Sequence, residues 1–196
     1  MTSPDGITWT NRIASDLTSS WYSVCWSPEL SIFVAVSITG ANQVMTSPDG
    51  ITWTNRIASN ISVWRSVCWC SELSLFVAVA SSGTNRVMTS PDGITWTNRI
   101  ASDASSDWLS VCWSSELSIF VSVAFDGTDR IMTSSDGITW TSRIASDLSS
   151  SWFSICWSPE LSIFVAIADT GTSKVMTSNI GIPNRKSTLL VKPTYV

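Results

Sequence analysis

Carboxylates that recur at fixed spacing are the first residues in this 196-residue chain that could do chemistry. An aspartate precedes a glycine at Asp5, Asp49, Asp92 and Asp136, and a glutamate precedes a leucine at Glu29, Glu72, Glu116 and Glu160. Two carboxylates can work as acid and base when their surroundings push their pKa values apart. Repeated contexts give no reason for such a difference, and histidine, the most common general base, is absent. The sequence therefore predicts that the protein is not an enzyme.

Cysteine is the second residue type that could be reactive. Four of the five cysteines (Cys25, Cys68, Cys112 and Cys156) stand at equivalent places in successive repeats. A disulfide needs Cα atoms within about 7 Å, and we expect equivalent sites to lie farther apart. Cys70 shares a strand face with Cys68, but without histidine or a second cysteine pair a zinc site is not expected. We predict reduced, buried cysteines, no metal and no cofactor. Reduced thiols and the lack of a leader before the first motif favour an intracellular protein.

Tryptophan is the residue type most suited to binding. Twelve tryptophans form three sets of four, and one set stands just before the first strand of each repeat, among Ser, Asp and Asn: Trp21, Trp64, Trp108 and Trp152. Such a mixture suits stacking on a sugar ring, and repeated weak sites gain strength through multivalency. These four residues are the candidate ligand-binding positions. The alternative is that they wedge between neighbouring repeats.

The elements that position these residues follow from the repeat itself. Met-Thr-Ser begins at residues 1, 45, 88, 132 and 176, so the period is about 44 residues. Each repeat contains four short runs rich in Val, Ile, Trp, Phe and Thr, separated by turn residues, and no run has a helical period. Asp-Gly is a strong hairpin signal between the third and fourth runs. The predicted fourth strands are 7–13, 51–57, 94–100 and 138–144.

A four-stranded sheet of this kind must stack on neighbours to bury its apolar faces, which predicts an all-β propeller of four-stranded antiparallel blades, with four to five blades in the chain. A linear β-solenoid is the alternative, although its repeats are usually shorter. We divide the single domain, 1–196, into blades 20–57, 63–100 and 107–144. A further blade combines 1–13 with 151–178, and 179–196 is a divergent tail.

The segment Ser-Pro-Asp-Gly-Ile-Thr-Trp at 47–53 and its copies resemble the Asp box, the bacterial neuraminidase repeat of sialidases and other propellers. Aspartate and glycine are adjacent here, whereas the usual pattern separates them by one residue. Whole repeats also resemble uncharacterised giant-virus proteins. The resemblance implies a structural hairpin between third and fourth strands, in which the Asp accepts turn amides and the Trp packs beneath. The residues in these roles are Asp5, Trp9, Asp49, Trp53, Asp92, Trp96, Asp136 and Trp140.

The resemblance also raises the question of sialidase activity, which the residues do not support. Resemblance to a sialidase would imply three catalytic features: an acid/base Asp, a Tyr–Glu nucleophile pair and an arginine triad. The chain has two tyrosines, Tyr22 and Tyr195, and neither stands in a matching context. Arg12, Arg56, Arg99 and Arg143 recur only because the repeat recurs. We expect an interaction scaffold for proteins, with a multivalent lectin as the alternative and a sialidase-type glycosidase as the least favoured function.

Composition limits the partners. The net charge of −4 provides no basic surface for nucleic acid, and the longest apolar run is too short to span a bilayer. We therefore expect a protein or glycan partner, with no nucleic acid and no membrane. The variable residues after the second strand, Gln43, Arg86, Arg130 and Lys174, are expected to form a solvated rim.

Closure of the ring stays open between two arrangements. Residues 1–13 carry third- and fourth-strand sequence and are expected to complete the half-blade at 151–178, which gives a monomeric ring of four to five blades. If the tail completes that blade instead, with Leu189-Leu190-Val191 as a fourth strand, the N-terminal hairpin is unpaired. Two chains could then close each other into a dimeric ring of about eight blades.

Overall fold

A computed structural model of the protein describes residues 1–178, and this part of the chain consists of β-strands, turns and loops without any helix. Blade 1 contains β1 (Trp21–Ser27), β2 (Ile32–Ser37), β3 (Gln43–Ser47) and β4 (Thr54–Ile57). Blade 2 contains β5 (Trp64–Cys70), β6 (Leu75–Ala80), β7 (Arg86–Ser90) and β8 (Thr97–Ile100). Blade 3 contains β9 (Trp108–Ser114), β10 (Ile119–Ala124), β11 (Arg130–Ser134) and β12 (Thr141–Ile144). Blade 4 contains β13 (Trp152–Ser158), β14 (Ile163–Ala168) and β15 (Val175–Thr177).

Each blade is an antiparallel meander with its strands side by side in chain order. In blades 2 and 3 the second strand is the most buried, because it has neighbours on both sides and covered faces above and below. In β6, every residue after Leu75 is buried. A cross-strand aromatic pair fixes its register on β5, since Trp69 lies opposite Phe76 with ring centroids 4.4 Å apart. Equivalent pairs occupy the other three blades.

The blades stack face to face, and the first strands β1, β5, β9 and β13 contact one another in series. The core between blades 1 and 2 contains Val34 and Val36 on one side and Trp64, Phe76 and Trp96 on the other. First strands that converge while outer strands splay apart define the blades of a β-propeller, so the predicted fold is confirmed.

The predicted fourth strands are too long. In blade 1 the strand begins at Thr54, and residues 47–53 form a closed turn that we call the Asp-Gly hairpin. The reason is that Asp49 binds the amides of Ile51 and Thr52, so these residues cannot pair with β3. The same correction applies to β8 and β12, which begin at Thr97 and Thr141.

The N-terminal hairpin, residues 1–13, does not complete blade 4 as expected. It holds one isolated bridge, Thr2 to Thr10, and none of its hydrogen bonds within the described residues reaches 151–178. Instead it stands in front of blade 1, with the Thr2 side chain against Gly50. Just after the hairpin, the Ser15 hydroxyl donates to the side-chain oxygen of Asn55 at 2.5 Å. The Ser59 hydroxyl donates to Asn98 in the same way one blade later. The hairpin therefore occupies the position of the outer half of a preceding blade. The proposed strand at 189–191 lies outside the described residues.

The predicted solvated rim is wrong for three of its four residues, which bind the linker to the next blade, whereas Lys174 is exposed as predicted. The Gln43 side chain is buried and bonds both the N–H and the C=O of Ser62. Arg86 pairs with Asp107, and Arg130 donates to the Ser150 carbonyl at 2.7 Å. All three, Gln43, Arg86 and Arg130, have φ between 59 and 61°, a conformation that costs energy for a side chain with a Cβ. These residues connect one blade to the next.

We predict that Trp96→Ala lowers the free energy of unfolding by about 3–5 kcal/mol, the range typical of buried large aromatic residues. Trp96 is buried between blades 1 and 2, 6.3 Å from the Phe76 ring centroid. The control Ile57→Ala removes a side chain from an exposed position and is expected to change stability by less than about 0.5 kcal/mol. Urea titration of both variants measures the difference, and a loss below about 1 kcal/mol for Trp96→Ala contradicts the packing described.

Candidate interaction surfaces

The Asp-Gly hairpin places its aspartate at the centre of a closed set of hydrogen bonds. The Oδ1 atom of Asp49 accepts from the amides of Ile51 and Thr52, each at 2.8 Å, and from the hydroxyl of Ser47 at 3.0 Å. Gly50 has φ +71°, which favours glycine, and its carbonyl accepts the indole N–H of Trp53 at 3.2 Å. The turn bonds predicted for this aspartate are therefore present, and they recur in the other three hairpins.

These hydrogen bonds hold the carboxylates in their ionised form. Amide donors from Thr8 and Ile7 lower the pKa of Asp5 to about 2, and those from Thr52 and Ile51 lower the pKa of Asp49. At Asp92, burial raises the pKa, but the amides of the turn outweigh it and the net direction is downward. Because a general acid must hold a proton near neutral pH, these aspartates are suited to structure and not to proton donation.

The candidate sugar-binding tryptophans are buried, with the first of them half-buried. Trp64, Trp108 and Trp152 are at most 1% exposed. Each indole N–H is used by the preceding linker, since it donates to the carbonyl of Asp16, Asn60, Asp103 or Asp147. A sugar cannot stack on a ring that protein covers on both faces. The expectation of ligand binding at Trp64, Trp108 and Trp152 is therefore wrong, and these residues wedge between blades.

A glutamate–tryptophan bond crosses each of the three contacts between described blades, which we call seams, and sequence reasoning missed it. Glu29 of blade 1 accepts the indole N–H of Trp69 in blade 2 at 2.7 Å. Glu72 accepts from Trp113 at 2.9 Å, and Glu116 from Trp157 at 2.7 Å. A second seam bond runs from a first-strand amide to a serine hydroxyl, as from Val67 to Ser23 at 3.2 Å. The signal in the sequence was that Glu and Trp recur together in every repeat.

Four of the five thiols, all except the exposed Cys156, have surroundings that make them unreactive, and burial also raises the pKa of Cys68. All five cysteines are free, and removal from water raises the pKa of Cys25 and Cys112 to about 12 and that of Cys70 to about 11. A thiol with such a pKa is protonated at neutral pH and is a poor nucleophile. Residues 1–178 contain no cluster of three or more Cys, Asp or Glu side chains arranged to hold a metal ion. They also contain no helix able to cross a membrane.

One polar site differs between repeats. Asp107 stands before β9 where the other repeats have Ser or Val, and Arg86 of blade 2 pairs with it at 3.1 Å, the one ion pair among the described residues. The Asp107 amide binds Asp126 at 2.8 Å. Burial, followed by the nearby charge of Asp126, raises the pKa of Asp107 against the opposing effect of Arg86. The contact joins blades 2 and 3 and leaves the carboxylate occupied.

The two ends of the blade stack expose apolar residues that are buried inside it. On blade 1, Val24 is 58% exposed, whereas the equivalent Val67 is 5% exposed under its preceding blade. On blade 4, Ile167 is 51% exposed, whereas the equivalent Val79 is fully buried by the following blade. We call these surfaces the N-terminal face and the C-terminal face. No described residue covers the C-terminal face, and on the N-terminal face the N-terminal hairpin lies against the outer part of blade 1 and leaves Val24 exposed.

The outer strands carry a second repeated apolar feature, which we call the rim isoleucines. Ile57, Ile100 and Ile144 end β4, β8 and β12 and are 70–75% exposed. Each stands beside an arginine whose Nε is occupied by a threonine of the neighbouring third strand, as in Arg56 to Thr46 at 3.1 Å. The rim therefore presents the same apolar group, next to an arginine, once per complete blade.

A cavity of about 400 Å³ lies between blades 3 and 4, lined mainly by apolar side chains that include Ile119, Val121 and Phe164. Its place in the repeat is that of an Asp-Gly hairpin. Gly137 of the blade 3 hairpin lies against the equivalent residues one blade earlier, Leu75 and Val77.

Neither family models nor curated proteins match this chain. Among solved structures, it is similar to virginiamycin B lyase from Staphylococcus aureus, at 11% identity and a TM-score of 0.64, over 86% of this chain and 58% of that one. It is similar to YCF48 from Cyanidioschyzon merolae at 17% identity, TM-score 0.62, over 83% and 54%. The β-propeller domain of Cps50 (Swd1) from Myceliophteria thermophila matches at 9% identity, TM-score 0.52, over 76% and 50%. The chain thus spans between half and three fifths of these structures, which establish its fold alone.

We predict that acid destabilises the protein through the hairpin aspartates. Their folded pKa values lie below the unfolded value of about 3.9, so their contribution is complete above that pH and is lost as pH falls through the folded pKa. The variant with Asp49→Asn, Asp92→Asn and Asp136→Asn keeps amide acceptors but cannot titrate there, so its stability should fall less between pH 6 and pH 2.

Urea midpoints across this pH range test the prediction, with Asp169→Asn as the control, an exposed position outside the hairpins. Equal acid sensitivity of the triple variant and the control contradicts it.

Proposed function

We propose that this protein is a non-enzymatic scaffold that binds protein partners through its rim isoleucines. The observation that carries the proposal is the 70–75% exposure of Ile57, Ile100 and Ile144 at equivalent places in three complete blades. Apolar side chains exposed singly are common on any surface, but the same group repeated in register with the blades presents a regular array. A matching array of apolar side chains on a partner protein would cover it.

The chemistry of the rim favours protein over carbohydrate. Isoleucine offers neither hydrogen bonds nor a flat ring face, the two features that sugar recognition uses. The lectin alternative has less support because Trp64, Trp108 and Trp152 are buried and their N–H groups are occupied. Nucleic acid is disfavoured by the net charge of −4.

Catalysis of the sialidase type has the least support. An arginine triad would need guanidinium groups that converge on one carboxylate. Arg56, Arg99 and Arg143 instead sit on three separate blades, each bonded to a threonine of its own sheet. The hairpin carboxylates are held ionised and the inner thiols protonated, so the described residues offer neither a poised acid nor an activated nucleophile.

Multivalency explains how weak contacts could suffice. Burying one isoleucine side chain contributes about 1.5–3 kcal/mol at most, which alone gives a weak complex. Three equivalent contacts on one rigid body act at high effective concentration, so a partner with several apolar groups binds far more tightly than its single contacts imply.

The test compares the chain with a triple variant, Ile57→Ser, Ile100→Ser and Ile144→Ser. Proteins cross-linked to the wild-type chain in its source cells are purified, and their affinity is measured by calorimetry. We expect each serine to weaken binding by about tenfold, because each removes at least 1.4 kcal/mol of apolar burial. The control pair Leu17→Ser and Ile61→Ser removes equally exposed residues from the linkers and should bind as the wild type does.

Two further measurements separate the alternatives. Saturable binding to a glycan array that survives in the triple variant would favour the lectin. Hydrolysis of a fluorogenic sialoside above the background rate would show a glycosidase. Either result overturns the scaffold proposal.

A further inference from the structure

The cavity between blades 3 and 4 lies at the position that an Asp-Gly hairpin occupies in the preceding blades. In blade 3 that place is filled by residues 134–140, with the Trp140 ring 6.2 Å from Phe120 and Gly137 packed on the preceding blade. In blade 4 the equivalent ring, Phe164, lines an open cavity instead. Residues 179–196 follow β15 outside the described range, and their sequence at the hairpin position lacks both the aspartate and the tryptophan.

The N-terminal hairpin is the matching part, already formed and still exposed. Asp5 binds the amides of Ile7 and Thr8, and Trp9 donates to the Gly6 carbonyl, as in the three inner hairpins. Yet Trp9 is 55% exposed, whereas Trp96 and Trp140 are each 8% exposed. Among the described residues of one chain, no first or second strand stands beside this hairpin in front of blade 1. Blade 4 has those two strands, β13 and β14.

The strand that would be exchanged has the same sequence in both places. Residues 1–3 and residues 176–178 are both Met-Thr-Ser. In blade 4 Thr177 lies opposite Val165, and Ser178 exchanges bonds with Phe164, at 3.0 Å from its amide and 2.8 Å to its hydroxyl. Residues 1–3 can replace each of these contacts with an identical group and bring the hairpin with them.

The end faces supply the rest of the same seam. Among the described residues, the indole N–H of Trp26 on the N-terminal face has no acceptor, and the Glu160 carboxylate at the C-terminal end receives no indole. In each of the three internal seams, an equivalent tryptophan donates to an equivalent glutamate. Val24 and Ser154 occupy the repeat positions of Val67 and Ser23, whose amide and hydroxyl are bonded across a seam. The N-terminal face therefore carries the donors of a seam, and the C-terminal face carries its acceptors.

We propose that two copies of this chain complete one propeller, each inserting its N-terminal hairpin into the cavity of blade 4 in the other. Exchange between chains fits better than closure within one chain, because the hairpin is fixed against blade 1 by the Ser15–Asn55 contact, at the end opposite blade 4. Two such exchanges about a twofold axis cover both end faces of the described residues, and the four blades described in each chain then form a ring of eight. This inference is independent of the rim and of what the rim binds.

Light scattering on the purified chain tests the assembly. We expect twice the 21.3 kDa mass of one chain for the wild type. Trp9→Ala removes the ring that fills the cavity and should give single chains. Ile7→Ser is the control, because the equivalent Ile51, Ile94 and Ile138 stay about half exposed in their hairpins and the dimer should persist. Circular dichroism verifies that each variant keeps its sheet content.

A second pair of variants tests the end faces without touching the hairpin. Glu160→Gln keeps an oxygen acceptor for the partner's indole and should retain the dimer. Glu160→Lys replaces the acceptor with a cation and should raise the dissociation constant about tenfold, as expected for a lost charge-assisted hydrogen bond.

Cysteine labelling supplies a readout independent of mass. Cys156 is exposed on blade 4, whereas Cys25, Cys68 and Cys112 are covered in part by the next blade. In the dimer a partner blade covers Cys156, so a polar thiol reagent should label it at least about tenfold more slowly in the wild type than in Trp9→Ala.

A wild-type mass of one chain overturns the proposal, since the tail or another protein then covers these faces. Open multimers larger than two chains, or a dimer that survives Trp9→Ala, also overturn it.

Discussion

The structure depends on one constraint: each sheet is apolar on both faces and is stable only when both are covered. β6 shows this residue by residue, because Phe76 and Ala78 pack toward blade 1 while Val77 and Val79 pack toward blade 3. Successive side chains of a strand point to opposite faces of the sheet, and in many antiparallel sheets one face is solvent-exposed and the other buried. Here both faces are buried. The converging first strands, the wedged tryptophans and the Asp-Gly hairpins all serve to bring the next sheet into contact. A single repeat cannot satisfy this constraint alone, and a stack satisfies it everywhere but at its ends.

The same constraint determines where the chemistry of the chain is used. A polar group in a dry seam must find a partner there, because an unpaired one costs about 1–3 kcal/mol. Gln43 therefore satisfies both backbone groups of Ser62 inside the seam, whereas Glu72 accepts the indole N–H of Trp113 at its exposed edge. Carboxylates that sequence reasoning could weigh as catalysts are thus engaged as acceptors. Because the repeats have nearly the same sequence, the same hydrogen bonds recur at each seam.

Local sequence predicted what local forces determine. The Asp-Gly hairpin, its amide bonds and the stacked meander follow from turn chemistry and from the 44-residue period, and the structure contains them. What depends on the neighbouring blade could not be predicted in the same way. Trp64 sits among polar residues that suggest a surface, but its burial is decided by a sheet one repeat away. Arg86 looks solvated in sequence, and only the approach of Asp107 and a left-handed backbone place it in a seam. The fourth strands were predicted too long because the aspartate captures two amides that otherwise would pair.

Which sheet can bind to an end face depends on two kinds of interaction inside a seam, apolar contact and hydrogen bonds. Apolar contact supplies most of the attraction but is non-directional, so it cannot by itself fix which sheet stacks or in which register. The bonds from Trp69 to Glu29 and from Val67 to Ser23 work in one register only, since a shift of one residue turns each side chain to the opposite face. A sheet that lacks this pattern would leave the indole N–H of Trp26 without a carboxylate and the amide of Val24 without a serine hydroxyl. The polar pairs therefore make an otherwise adhesive surface selective, and the sheet they select is one that carries the same repeat.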